Sequence, residues 1–183
     1  QLNLEQPKLF KHSFFRKNLS YQTLRFEDKN FKIIELLRTN TESAIVYAGS
    51  RSATQQLAKM LNNNGIASGY YHGGLSTHEK EQQYQQWMTN KTKVIVATNA
   101  FGMGIDKADV SMVIHVNIPE SIEHYFQEAG RAGRDQNHAQ ALLLVGPNDI
   151  EITKKWYLDQ LPDVSFLKLI YKKLNTYFQI AYG

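Results

Sequence analysis

The sequence has no cysteine in its 183 residues, which excludes disulfides and thiolate-ligated zinc or iron–sulfur centres within it. No apolar run approaches the roughly 20 residues that a membrane-spanning helix needs. No secretory leader pattern opens the chain. The expectation is a cytoplasmic protein with no membrane partner, nucleoid-associated if bacterial. There are no internal repeats and no low-complexity tract. The phosphate-cradling pattern G-x-x-x-x-G-K-[ST] is also missing: "HGGLSTHEK" and "GSRSATQQ" lack its lysine and its spacing. Nothing in the chain is therefore expected to hold the β- and γ-phosphates of a nucleotide in the usual way. "DQNH" (Asp135–His138) imitates a Walker B box of the D-E-x-H type. It follows a basic helix instead of ending an apolar strand, and it has no glutamate, so it is read as a decoy.

What remains is an ordinary globular composition, 42% hydrophobic and 21% charged, with a net charge of +4. The basic excess is not where the motifs lie. Residues 41–150 carry 8 Lys/Arg against 10 Asp/Glu, so binding of nucleic acid must rest on individually placed residues.

Short apolar runs alternate with segments of helical period. "LSYQTLRF", "SAIVYA", "IASGYY", "KVIVAT", "SMVIHV" and "QALLLV" read as strands. Helices are predicted between them. One carries Phe31, Ile34 and Leu37 on its inner face. A second is capped by Ser52, carries Leu57, Met60 and Leu61, and is stopped by Gly65. A third opens with the Ser76/Glu79 capping box and is lined by Tyr84, Trp87 and Met88. A fourth starts at Ser121 and runs through "SIEHYFQEAGRAGR". Two more come near and beyond Ile150, with Pro162 at a seam. Strand–helix alternation of this kind implies a mainly parallel sheet covered by helices, an α/β fold.

Four stretches carry chemistry. On the Ser121 helix, Ile122, Phe126, Ala129 and Gly133 are expected to face the sheet. Gln127, Arg131 and Arg134 fall at i, i+4 and i+7 on another face. A solvated basic helix end would explain the arginines, but not the glycine in front of each. In "VIVATNAFGMGIDKADV", a buried-type strand runs into a loop with Thr98, Asn99 and Asp106, in the position where α/β folds bind ligands. Gly102 and Gly104 allow close approach of a phosphate, and Asp106 could accept from a ribose hydroxyl. "YAGSRS" places Ser50 and Arg51 before a helix N-terminus, and "YHGGLS" places His72 and Gly73 before another.

In this order the segments resemble the second RecA-like domain of superfamily 2 helicases, and within them the RecQ DNA helicases. "VYAGSR" is similar to motif IV, "YHGGLS" to the segment after it, "VATNAFGMGIDKADV" to motif V and "HYFQEAGRAGRD" to motif VI. "FFRKNLSY" resembles the lead into the domain. DEAD-box RNA helicases are worded differently in motifs V and VI, which favours DNA.

The resemblance implies a RecA-like three-layer domain over 19–150, an interdomain linker over 1–18, and a helical extension over 151–183 that begins a following module. Arg134 would be the arginine finger directed at the γ-phosphate of ATP, supported by Arg131 and Gln127. Gly104 and Asp106 would meet the nucleotide. Ser50, Arg51, His72, Gly73, Thr98 and Asn99 would line a track for single-stranded or partly duplex DNA. ATP with Mg2+ would be held mainly by the first RecA-like domain, absent from this sequence, so the isolated chain is expected to be inactive. The activity implied is 3′-to-5′ DNA unwinding in repair or recombination. No metal site is carried over: many members have a cysteine-rich zinc module after this domain, and the matching region here has no cysteine. A non-catalytic binding module of the same fold and half of an RNA helicase are the alternatives.

Overall fold

The computed structural model describes residues 15–102 and 104–178. Positions 1–14 of the expected linker and 179–183 of the expected extension lie outside the described residues. The strands are β1 (Leu19–Arg25), β2 (Ser43–Tyr47), β3 (Ser68–Tyr71), β4 (Val94–Ala97), β5 (Val110–His115) and β6 (Ala139–Val145). The helices are α1 (Lys29–Thr39), α2 (Arg51–Asn63), α3 (Thr77–Met88), α4 (Ile122–Ala129), α5 (Asp149–Asp159) and α6 (Val164–Phe178). The six strands form one sheet in the order β1-β6-β5-β2-β4-β3, and every pairing is parallel.

Alternation along the strands sorts side chains between two faces. Ala44, Val46, Val96, Ile114 and Leu142 meet Ile33 and Leu37 of α1 and Leu57 and Leu61 of α2. Ile45, Tyr47, Ile95, Ala97 and Val113 meet Trp87 of α3, Phe101 and Ile105 of the β4–β5 connection, and Ala129 and Ala132 around the end of α4. All five residues of β2 and all four of β4 are buried because both faces are covered. Burying a side chain such as Ile33 or Leu37 contributes about 1.5–3 kcal/mol.

Three helix assignments shift. The inner face of α1 carries Ile33 and Leu37, while Phe31 is exposed; one step around the helix matches the stripe to the sheet. Ser50, not Ser52, caps α2, accepting from the Ala53 amide at 3.1 Å. The third and largest shift is at α4, which ends at Ala129 instead of continuing to Arg134. The Ser76/Glu79 capping box on α3 forms as expected. Among the described residues, neither α5 nor α6 contributes a buried one.

The β4–β5 connection sets the geometry of the site. Its described residues form no helix, yet parallel pairing requires it to run from the carboxyl edge of the sheet to the amino edge. At its start the Thr98 amide bonds the Tyr71 carbonyl at the end of β3 at 3.1 Å. At its end the Lys107 ammonium bonds the Met88 carbonyl at 3.3 Å and Asn90 Oδ1 at 2.9 Å, where the chain leaves α3 for β4.

Candidate functional site

The connection gives its two ends different neighbourhoods. At the carboxyl edge it joins the ends of β2, β3 and β5. Ser50 and Arg51 open α2 there. Arg51 lies across Gly74, where an added Cβ would come within 2.9 Å of its Nη1, so a side chain there would make the guanidinium shift. Thr98 is half-buried and folds its oxygens back towards the amides of Ala100 and Phe101, while Asn99 is exposed. Gly73 is exposed, and Lys80 bonds its carbonyl at 3.2 Å. His72 does not reach this surface. It is 5% exposed, stacked on Tyr70 and 3.0 Å from Gln55, so it props the loop from beneath.

Between these ends lies a cleft of ≈ 120 Å³ lined by Gly49, Asn99, Asn117, Glu120 and Glu128 among others. Its lining has the carboxylates of Glu120 and Glu128 and, among the described residues, no lysine or arginine, a charge that disfavours a phosphate inside it. The floor is a polar pair that sequence reasoning missed: buried His115 Nε2 meets Glu128 Oε2 at 2.8 Å, with the ring stacked on Tyr47. That pair explains the orientation of α4. Its inner face carries half-buried Tyr125 and Glu128, leaving Ile122 76% exposed and Phe126 partly so, against the sequence expectation.

Away from that edge, the β4–β5 connection meets the segment that follows α4. After α4, Gly130 caps the helix and the chain tightens: the Arg131 amide bonds the Glu128 carbonyl and the Ala132 amide the Ala129 carbonyl. Gly133 then takes φ +65°, and its amide bonds the carbonyl of Val110, the first residue of β5, at 2.7 Å. Gln127, Arg131 and Arg134 therefore do not share a helical face. Gln127 is exposed on α4, Arg131 is 7% exposed and turned inward, and Arg134 projects from the loop.

Arg131 lies against Gly102, whose missing Cβ would sit 3.1 Å from Arg131 Nη2, and beside the Tyr47 hydroxyl. That hydroxyl donates to the Phe101 carbonyl at 2.9 Å. Burial pushes the Tyr47 phenol well up, and the nearby Arg131 charge offsets part of the rise. Arg131 Nε, buried, has no hydrogen-bond partner among the described residues.

Arg134 Nη1 donates to the Ile105 carbonyl at 2.9 Å and to Asp106 Oδ1 at 2.7 Å. The Asp106 side chain is 85% exposed and that of Arg134 36%, so the guanidinium is held at the surface with an exposed carboxylate as its charge partner. Gly104 nearby takes φ +83° with open space around it. One residue beyond Asp106, Lys107 is buried. Its ammonium bonds Asn90, Asp109 and the Met88 carbonyl and lies 5.4 Å over the Trp87 ring. Burial pushes the Asp109 carboxyl up, but hydrogen bonds from Lys107 and Asn90 outweigh it and hold the group below its ordinary value. "DQNH" forms a turn in which Asp135 accepts from Asn137, with Gln136 at φ +67°.

An all-parallel sheet covered by helices on both faces is the fold of RecA-like helicase domains. The chain belongs to the helicase conserved C-terminal domain family, which matches residues 28–136. It is 37% identical over 155 residues to the ATP-dependent DNA helicase RecQ of Bacillus subtilis, covering 84% of this chain and 26% of that protein. It is 39% identical over 164 residues to the RecQ of Pasteurella multocida, covering 87% and 25%. The chain thus spans about a quarter of the length of these curated relatives. Among solved structures it is similar to the Escherichia coli DEAD-box protein SrmB bound to regulator of ribonuclease activity A, at TM-score 0.65 and 27% identity, covering 75% of this chain and 81% of that one.

Proposed function

We propose that this chain is the second motor lobe of an ATP-dependent DNA helicase that translocates 3′ to 5′ in DNA repair or recombination, and that Arg134 is its arginine finger. The observation that carries this is the presentation of Arg134. Its guanidinium is kept at the surface by Asp106 Oδ1, 2.7 Å away, in a chain with no phosphate-binding loop. An arginine held by an exposed carboxylate can exchange that partner for a phosphate, since an exposed pair contributes only about 0–1 kcal/mol.

ATP supplies the transferable phosphoryl group, and the first RecA-like domain of the same polypeptide presents it. Magnesium, which accompanies the nucleotide's phosphates, is assigned mainly to that domain too. The residues of this chain position and stabilise. Arg134 neutralises charge on the γ-phosphoryl oxygens, an effect of about 10³–10⁵ in rate in well-studied NTPases. Arg131, buried under Gly102, ties motif VI to motif V. Gln127 on the exposed face of α4 supports the interdomain contact. Gly104 leaves room for the nucleotide beside Asp106. Ser50, Arg51, Gly73, Thr98 and Asn99 line the path of the DNA backbone along the carboxyl edge, with His72 supporting them from below. Because one connection carries Thr98 at the DNA edge and Asp106 at the finger, movement of the strand is coupled to hydrolysis through a single piece of backbone.

The test is Arg134→Ala in the full-length protein, which is expected to bind ATP and lose DNA-stimulated hydrolysis. Hydrolysis near the wild-type rate would remove the finger assignment. The isolated 183-residue chain is expected not to hydrolyse ATP, and DNA-stimulated turnover by it would overturn the two-lobe reading.

A further inference from the structure

The loop that carries Arg131 and Arg134 is held from outside itself. Arg16 Nη1 donates to the Gly130 carbonyl at 2.8 Å, and Arg16 Nη2 donates to the Gly133 carbonyl. Asn18 Nδ2 donates to the Gly133 carbonyl at 2.7 Å and to the Asn137 carbonyl at 2.8 Å, and the Asn18 carbonyl accepts from the Ala139 amide at 2.8 Å. Arg16 and Asn18 precede β1 and lie outside the residues the helicase family matches, 28–136.

The chemistry of the loop explains why it needs them. A helix end leaves carbonyls without intrahelical partners, and α4 ends where two glycines reduce the intrinsic stiffness of the chain. A guanidinium at a helix C-terminus satisfies carbonyls and matches the sign of the helix dipole. Its planar fork presents two N–H donors on separate nitrogens at a fixed spacing, which the single ammonium of a lysine does not. Asn18 is fitted to the same place. A Cβ on Gly133 would lie 2.6 Å from Asn18 Nδ2, so the amide occupies the space that the glycine leaves free. Together the two side chains bond three carbonyls, those of Gly130, Gly133 and Asn137, on either side of Arg134.

We propose that Arg16 and Asn18 are positioning residues for the arginines of motif VI. They fix the 130–137 backbone so that Arg134 projects at one angle towards the γ-phosphate and Arg131 stays under Gly102. Neither touches nucleotide or DNA. The inference rests on the reading of Arg134 as the finger.

The experiment uses the full-length protein with Arg16→Gln, Arg16→Lys and Asn18→Ala, each alone and combined with Arg134→Ala. ATPase is measured at saturating single-stranded DNA, alongside ATP binding, DNA binding and thermal unfolding. A displacement of about 1 Å at a reacting group costs about 10²-fold, so Arg16→Gln and Asn18→Ala are expected to lower kcat by about 10- to 100-fold. KM for ATP and Kd for DNA should stay within about twofold, the pattern of an interaction made in the transition state. Arg16→Lys, with the charge but not the fork, should fall between Arg16→Gln and wild type. In the Arg134→Ala background none of the three should lower the residual rate further. Should Arg16→Gln not fold, Asn18→Ala, which keeps the guanidinium, carries the test.

A lowered melting temperature with unchanged kcat would mean that the two residues only dock β1, and the inference would be overturned. So would an equal loss of rate in the Arg134→Ala background. Arg134→Ala that leaves hydrolysis intact overturns the proposed function itself. Arg134→Ala that abolishes it, with Arg16→Gln and Asn18→Ala at wild-type rate, overturns this inference alone.

Discussion

The two glycines of "EAGRAGR" have opposite requirements, and replacing each with alanine separates them. At Gly133 the backbone sits at φ +65°. An L side chain there costs about 1–2 kcal/mol. The new Cβ would also lie 2.6 Å from Asn18 Nδ2 and 2.8 Å from the Ala139 Cβ, and Ala139 is a fully buried residue of β6. Asn18 would have to move, giving up bonds to the Gly133 and Asn137 carbonyls worth about 0.5–1.5 kcal/mol each. Adding the terms, Gly133→Ala should destabilise the domain by about 2–5 kcal/mol. Gly130 is different. Its φ −64° and ψ −4° are open to any residue, and the nearest atom to an added Cβ is the Phe126 carbonyl oxygen at 3.1 Å. Gly130→Ala should therefore change stability by no more than about 1 kcal/mol in either direction, since the gain in helix propensity opposes the tight contact. Urea unfolding of both variants, with m-values compared to detect changes in the unfolded state, gives the measurement. Equal costs at the two positions, or a Gly133→Ala cost below about 1 kcal/mol, would refute the reasoning.

The same geometry sets three further outcomes. Lys107→Met removes an ammonium with 4% side-chain exposure and takes one donor each from Asn90 Oδ1, the Met88 carbonyl and Asp109, leaving Ser43 to bond Asn90. Breaking a buried pair costs about 3–5 kcal/mol, and because the Asp109 side chain is 33% exposed and can rehydrate, about 2–3 kcal/mol is expected by denaturant unfolding; a neutral result would show that the anchor is not needed. Tyr47→Phe leaves the buried Phe101 carbonyl without its donor and should cost about 1–3 kcal/mol, whereas a stabilised variant would mean that water or Arg131 takes the bond over. For pH, burial raises the Asp109 and Asp149 carboxyls, but hydrogen bonds from Lys107 and Asn90, and from Lys29 and the Gly146 amide, hold both below the ordinary value of 3.8. Their contribution is fully present above that value and is lost as pH falls through the depressed values; Asp109→Asn should flatten the acid limb of the urea midpoint, and an unchanged limb would contradict the assignment.

The strands were legible because burial on both faces requires continuous apolar runs: "SAIVYA" and "KVIVAT" could hardly be placed elsewhere. The Ser76/Glu79 capping box was legible because it is a local device. Helix faces were less so. Phe31 is as apolar as Ile33, and only the position of the sheet decides that Ile33 turns inward. At α4 the error had two physical sources. A helical period was extended through residues whose left-handed turn at Gly133 no local pattern requires. In addition, the inner face of α4 is set by Glu128, whose partner His115 is 13 residues away on β5 and outside any local pattern. His72 looked like a contact residue because it stands beside two glycines, but its burial depends on α2 and Gln55. Arg16 and Asn18 left one trace, a charged and an amide residue in the segment resembling the lead into a helicase domain. Their partners are 114 to 119 residues away.

By itself the sequence determined the features that depend on local chemistry and on order along the chain: a parallel α/β domain, the alternation of its strands and helices, and the wording that resembles the RecQ helicases. Only the tertiary structure decided which residues share a neighbourhood. The β4–β5 crossover had to traverse the sheet before Thr98 and Asp106 could be seen to stand apart, one beside the end of β3 and the other beside Arg134. Arg134 could be assigned to Asp106, Arg131 to Gly102 and Arg16 to the end of α4 only once β1, β5 and β6 lay side by side. These pairings join atoms about thirty to more than a hundred residues apart, and only the closed sheet brings them together.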